Sequence, residues 1–258
     1  MNYSLILSET TWSFTRISCF KDCKYKFFLK YIQPQESVNM FFSSYGTFFH
    51  EILQSLFSGE LTKEEAKNWY LCDFWNKVPR SAPSETIFTN YFNQGLAYIS
   101  SYQPLPNKVL DTEKRFYFES CGNNFVGVVD AIVSGDDGKV SIVDHKSKAL
   151  KPRSLKRRSK SNAELDEYLR QLYLYTIPVW DEYGDVDELI FNCYRSGEII
   201  REKYDGEMAF EAEVWAWDMI KQIKQEEDWT PNMDFFYCKN LCEVHDSCEY
   251  YQFHGGIL

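Results

Sequence analysis

Two short apolar runs, residues 125–133 and 140–143, are rich in valine and isoleucine and flank Ser134-Gly135-Asp136-Asp137-Gly138. Glycine and acidic residues between such runs predict a β-hairpin with at least one buried face. Upstream the period changes from two to helical. Residues 13–31 place apolar and aromatic side chains at helical spacing, with Ser13 as a cap and Pro34 as a stop. Residues 41–57 read as a second helix, with Gly46, His50 and Leu53 near one face. A third begins at Thr62, where T-K-E-E forms a capping box ahead of Ala66, Trp69, Tyr70 and Phe74. Pro79 and Pro83 end it, and Ser84 opens a fourth that runs to about residue 102. Pro104 and Pro106 mark the clearest boundary in the chain.

Beyond that boundary the pattern predicts a strand over residues 109–119, the hairpin, and an amphipathic helix over 164–179. A strand pair at 188–194 and 198–203 turns at Ser196-Gly197, and a long helix over 207–227 leads into a loop-like tail rich in cysteine. A helical N-terminal part thus feeds a βββαβ(β)α core, which is α/β or α+β by class. The segments divide as 1–106, 107–229 and 230–258.

Charge inside the apolar hairpin changes the picture. Asp130 interrupts the first run, and Asp144 and Lys146 close the second. Strand alternation puts Asp144 and Lys146 on the same face. A carboxylate in an apolar strand is costly unless it is paired or binds a metal. Two carboxylates beside a lysine suit a divalent cation and hydrolysis of a phosphodiester.

The net charge of −10 argues against a protein that coats nucleic acid without specificity. One stretch departs from that average: Lys146, Lys148, Lys151, Arg153, Lys156, Arg157, Arg158 and Lys160 follow the hairpin with no acidic residue among them. This basic run reaches out beside the candidate metal site and suits a phosphate backbone, or else a solvated loop. There is no apolar run long enough to span a bilayer and no basic leader, so a cytosolic chain is expected. In that compartment, eight cysteines point to thiols or metal ligands rather than disulfides. Three of them, Cys238, Cys242 and Cys248, fall within eleven residues of the tail.

The order of elements and motifs resembles the PD-(D/E)xK nuclease superfamily, most closely the branch of RecB and AddB nuclease domains and CRISPR-adaptation exonucleases. The residues that carry the likeness are Gly46–His50 on a helix, Glu113 on the first strand, Gly127–Asp130 on the second, Asp144–Lys146 on the third and Gln171–Tyr175 on the next helix. The resemblance implies a restriction-endonuclease-like core with a central mixed sheet flanked by helices. His50, Asp130, Asp144 and the carbonyl of His145 would hold Mg2+ or Mn2+. Lys146 would orient water or stabilise the phosphate, with Gln171 and Tyr175 alongside. It also implies a 4Fe-4S cluster on Cys23, Cys238, Cys242 and Cys248 that staples the tail to the N-terminal part. Zinc remains open as an alternative, and His245 as a substitute ligand for Cys242. Two departures are visible: C-x3-C replaces the commoner C-x2-C, and His145 fills the usually hydrophobic middle of D-x-K. No G-x-x-x-x-G-K-(S/T) motif is present, so a nuclease not fused to a motor is expected. The implied activity is an exonuclease on single-stranded DNA in phage or CRISPR-type processing or recombination, with a protein partner in such a complex. A structure-specific endonuclease on the same fold, or a catalytically silent nucleic-acid-binding module, are the alternatives.

Overall fold

The computed structural model describes residues 3–105, 107–156 and 159–255. Pro106 of the expected boundary, and Arg157 and Arg158 of the basic run, lie outside the described residues. Short helix α1 (Ser4–Ser8) is followed by α2 (Phe14–Asp22) and α3 (Lys24–Phe27), which opens into a π-helix over Phe28–Ile32. Then come α4 (Phe41–Phe57), α5 (Lys63–Lys77) and α6 (Glu85–Ser101). Strands β1 (Lys108–Ser120), β2 (Asn123–Ser134) and β3 (Val140–His145) precede α7 (Lys160–Tyr183). The core closes with β4 (Val186–Cys193), β5 (Glu198–Lys203) and α8 (Gly206–Gln225). In the tail are α9 (Phe235–Leu241), a 3-10 turn at His245–Ser247 and α10 (Glu249–Gly255).

The five strands form one sheet in the order β1-β2-β3-β4-β5. All neighbours are antiparallel except β3 and β4, which run parallel because α7 carries the chain back across the sheet. Each residue of β3 is buried, as expected of a central strand covered on both faces. On one face Ile132 and Ile142 meet Leu165, Leu169 and Leu172 of α7, Ala216 and Ile220 of α8, and Ile17 and Phe27 of the N-terminal helices. On the other, Ala131, Val133, Val143 and Ile190 meet Phe49, Ile52 and Leu53 of α4 together with Tyr70, Phe74, Phe88 and Ile99. Residues of the first hundred positions therefore sit on both sides of the sheet and share its two cores. Among the described residues, no helix is long and apolar enough to cross a membrane.

Local sequence accounts for most element ends. Thr62 and Glu65 make the expected reciprocal capping box, and the Ser84, Ser159 and Asp205 side chains accept N–H groups at the starts of α6, α7 and α8. Two expectations need correction. The single helix over residues 13–31 is broken at Cys23, which is extended (φ −160°, ψ 113°) and caps α3 through its sulfur. The tail is not loop-like: Asp234 caps the seven-residue α9, which is too short to show a period in sequence.

Candidate active site

The site forms where the ends of β2 and β3 meet α4 and α7. The β1–β2 register pairs Thr112 with Ala131 and Lys114 with Val129, which sets Glu113 opposite Asp130. Glu113 has a positive φ of 49°, an uncommon conformation for a non-glycine residue. Ligand atoms of His50, Glu113 and Asp130 all lie within 4.8 Å of one another. His50 Nε2 lies 2.9 Å from the His145 carbonyl oxygen, and its Nδ1 lies 3.5 Å from Asp130 Oδ2. The His145 main-chain N–H donates to Asp130 Oδ2 at 2.7 Å. A histidine of the helical half thus meets an acid of β2 and the end of β3.

Asp144 does not join that tight group among the described residues. It is buried, and its Oδ2 lies 2.9 Å from Lys146 Nζ. Lys146 also donates to Gln171 Oε1 at 3.0 Å, and Gln171 Nε2 lies 3.3 Å from the Tyr175 hydroxyl. Gln171 and Tyr175 are one turn apart on α7, so one helical face completes a chain Asp144–Lys146–Gln171–Tyr175. Gly127 explains the start of the G-x-x-D motif: a Cβ there would come within 2.4 Å of Tyr175 Cε1. The glycine lets the tyrosine ring lie against β2, so two motifs far apart in sequence are one contact. At Gly46 a Cβ would meet nothing within 4 Å, which leaves the cleft above His50 open.

Crowding of acids in a buried place shifts their protonation. Burial, then the charge of Asp144, pushes the Asp130 carboxyl up to about 7, against the pull of His50 and Lys146. Burial also raises Glu113, opposed by His50 and reinforced by Asp144. For Lys146, burial works towards the neutral amine, yet Asp144 and Asp130 outweigh it and the net shift is upward. Burial, with His50 and Lys146 nearby, holds His145 well below the ordinary histidine range, so its ring is neutral. Asn192 Nδ2 lies 3.0 Å from His145 Nδ1 and donates to Tyr98 at 2.7 Å, fixing this ring from behind. Several acids sharing a small space, with a cation on one side only, is a donor set suited to a hard divalent ion.

The basic run is only partly free. Lys148 pairs with Glu164, and Arg153 pairs with Asp166 at 2.8 Å and Glu202 at 2.7 Å. Asn162 holds the loop by accepting from Ser154 N–H at 2.8 Å. Lys151, Lys156 and Lys160 are exposed, with no ion pair among the described residues. Sequence alone showed no acid within the run; its partners come from α7 and β5.

Away from the sheet, Cys23, Cys238, Cys242 and Cys248 line one cavity between α3 and the tail. Cys23 Sγ accepts main-chain N–H groups from Lys26 at 3.4 Å and Asn232 at 3.3 Å. Burial pushes the Cys242 thiol up to about 11 and raises Cys238 and Cys248 as well. Cys19 lies in the main core instead. His245 also lines the cavity, with Nδ1 2.7 Å from the Cys242 carbonyl and Nε2 3.1 Å from Asp246. Both ring nitrogens therefore have neighbours other than a metal. Lys26 pairs with Glu243 at 2.7 Å, and Lys30 pairs with it too. With the Val38 N–H to Glu243 carbonyl bond at 2.8 Å, these contacts hold the tail against the N-terminal part.

Among known proteins, the chain is 25% identical over 155 residues to one subunit of the ATP-dependent helicase/deoxyribonuclease of Streptococcus uberis. That match takes in 52% of this chain and 14% of the relative's length. A solved protein from Eubacterium rectale, given a provisional exonuclease name, superposes with a TM-score of 0.48 at 15% identity, covering 93% of this chain and 92% of that one. The model of the PD-(D/E)XK nuclease superfamily matches residues 11–249, which takes in both the sheet motifs and the cysteines, and the chain belongs to that superfamily.

Proposed function

We propose that the chain is a divalent-metal-dependent deoxyribonuclease that works as an exonuclease on single-stranded DNA ends. The observation that carries this reading is the meeting of His50, Glu113 and Asp130 within 4.8 Å, beside the buried Asp144–Lys146 pair. His50, Asp130 and the His145 carbonyl would hold Mg2+ or Mn2+, with Glu113 added to the expected set and Asp144 at its edge; the imidazole tilts the preference towards Mn2+. Bound there, the ion supplies Lewis-acid charge to a phosphodiester. Lys146, aimed by Asp144 and Gln171, donates to a phosphate oxygen or orients the attacking water. Tyr175 braces Gln171, and the neutral His145 ring, held by Asn192, fixes the carbonyl beside His50.

The four cavity cysteines support a cluster at the tail. Cys23, Cys238, Cys242 and Cys248 would be the ligands, of a 4Fe-4S cluster by the branch resembled, with zinc as the alternative. The relative's helicase/deoxyribonuclease name supports work beside a helicase, and the branch resembled suggests a cytoplasmic CRISPR-type or recombination partner. Lys151, Lys156 and Lys160 are the basic residues left to meet DNA.

The test is digestion of end-labelled linear and circular single-stranded DNA in Mn2+ and in EDTA. Degradation of linear strands alone, abolished by EDTA, is the expected result. Cutting of circles would make the enzyme an endonuclease, and no cutting of either would make it a silent binding module. Iron and sulfide analysis of anaerobically purified protein tests the cluster.

A further inference from the structure

Beyond the lysines of the basic run, one cation close to the site has no acid. β3 and β4 are parallel, with Asp144 beside Phe191 and His145 beside Asn192, so both strands leave the sheet at the same edge. Their pairing continues one step further. Lys146 N–H donates to the Asn192 carbonyl at 2.9 Å, and Tyr194 N–H donates to the Lys146 carbonyl at 3.2 Å. Arg195 is the next residue. Its Nη1 donates to the Ser147 carbonyl at 3.2 Å, directly after Lys146, and the ring of the preceding Tyr194 lies 6.3 Å from that of His50.

The guanidinium is held from two further directions. Nε donates to Gln94 Oε1 at 2.9 Å, and Cζ lies 3.4 Å from the centre of the Tyr91 ring. All of these partners are neutral. Among the described residues no carboxylate pairs with Arg195, although it is half-buried, whereas Lys146, Lys148 and Arg153, which follow β3, each have one. A ring face and two neutral oxygens fix a guanidinium in place but leave its charge uncompensated. The two hydrogen bonds use two of its five N–H groups, so the fork can take a further acceptor.

The rest of the molecule says which acceptor. A chain of net charge −10 does not gather a polyanion through its overall field, and the acids of the metal site repel one. A bound strand therefore needs cations set in place beforehand, and a planar fork of N–H donors matches phosphate oxygens. The carboxyl ends of parallel strands are also where open α/β sheets meet their ligands. We infer that Arg195 is a phosphate-binding residue that clamps a backbone phosphate flanking the scissile one. The inference rests on the single-strand exonuclease reading and adds a substrate contact outside its motifs. The competing role is a brace that ties α6 to the ends of β3 and β4, and only the clamp depends on charge.

The experiment measures the affinity of the full chain for a fluorescent oligothymidylate in Ca2+, over roughly 50–200 mM salt. It compares the unaltered protein with Arg195→Gln, Arg195→Lys and Arg201→Gln, each shown to be folded by a urea melt. One neutralised phosphate on a single strand contributes about 0.7 to the slope of log affinity against log salt. Arg195→Gln is expected to make the slope shallower by about 0.7 and to weaken binding about fivefold at about 0.1 M salt. Arg195→Lys should keep the slope. Arg201→Gln removes a cation already paired with Glu188 on β5 and should change neither quantity. If Arg195→Gln does not fold, Arg195→Met, which keeps an apolar stem against Tyr91, takes its place. Weaker binding at an unaltered slope, or equal losses with Gln and Lys, would make Arg195 a brace. An equal change of slope in Arg201→Gln would mark the overall field. Each of these results overturns the clamp alone. Failure of the unaltered protein to bind or degrade any single strand overturns the exonuclease reading and the clamp together.

Discussion

The sheet site and the cysteine cavity are built in opposite ways. At the sheet, neighbouring strands and α7 hold most of the polar groups in contacts with one another, His145 Nε2 and Asn192 Oδ1 excepted: Asp130 accepts from His145 N–H, Asp144 pairs with Lys146, and Lys146 donates to Gln171. In the cavity, the sulfurs of Cys242 and Cys248 sit among Leu29 and Val244, and Cys23 breaks a helix to reach them. A site made by register keeps its shape without its ion. The cavity is closed by ion pairs, by hydrogen bonds such as Val38 N–H to the Glu243 carbonyl and Asn232 to Asp22, and by Tyr25 against Tyr250, and a metal bound to its thiols would add to that attachment. The sheet site should therefore fail in chemistry and the cavity in stability.

Lys146→Met should give the largest effect. It keeps the length of the side chain while removing the charge beside Asp144 and the donor to Gln171. Cleavage of linear single-stranded DNA should fall by about a hundredfold to a thousandfold, the range for removing one preorganised donor to a developing charge. Leaving Asp144 buried without its partner should also cost about 3 kcal/mol in a urea melt. Metal content at the cysteines should not change. If the iron or zinc content falls with the activity, the two regions are coupled and the contrast fails.

Cys238→Ser is the converse. Loss of one ligand should lower the melting temperature by on the order of 5–10 °C and expose residues after 230 to protease. Binding of Mn2+ at the sheet, followed by calorimetry below the melt, should persist. Loss of Mn2+ binding in folded protein would show that the staple shapes the site.

The same contrast decides what the sequence could reveal. His50, Gln171 and Tyr175 were named only through the motifs of the family that the chain resembles; strand and helix periods account for no more than Asp144 and Lys146 sharing a strand face and Gln171 and Tyr175 sharing a helix face. Glu113 was visible as an acid of the first strand, but its place beside His50 and Asp130 depends on a left-handed backbone and on the register with β2. The role of Gly127 was hidden, since the ring that needs its missing Cβ lies 48 positions on, at Tyr175. Lys148 and Arg153 looked free because their acids, Glu164, Asp166 and Glu202, belong to other elements. At the cavity, composition exposed the cysteines but not the break at Cys23, which tertiary placement imposes on a helical pattern.

The smallest expected effect separates charge from sulfur in holding the tail. Burial alone would raise the Glu243 carboxyl, but hydrogen bonds from Lys26 and Lys30 bring it down to about 2, from 4.5 in the unfolded chain. An acid depressed on folding contributes stability that is full above its unfolded value and is lost as pH falls through its folded one. The contribution should therefore be constant above about pH 5 and decline towards pH 2, by about 2 kcal/mol for a mostly buried group. Other carboxyls titrate over the same range, so the useful quantity is the difference between the unaltered chain and Glu243→Gln, both metal-free, in urea melts at several pH values. That difference should be largest near pH 5 and close to nothing at pH 2. A difference that does not vary with pH would mean that Glu243 acts by packing. The tail would then be held by packing and by neutral hydrogen bonds such as Asn232 to the Asp22 carbonyl, and the contrast with the charge-paired sheet site would be sharper still.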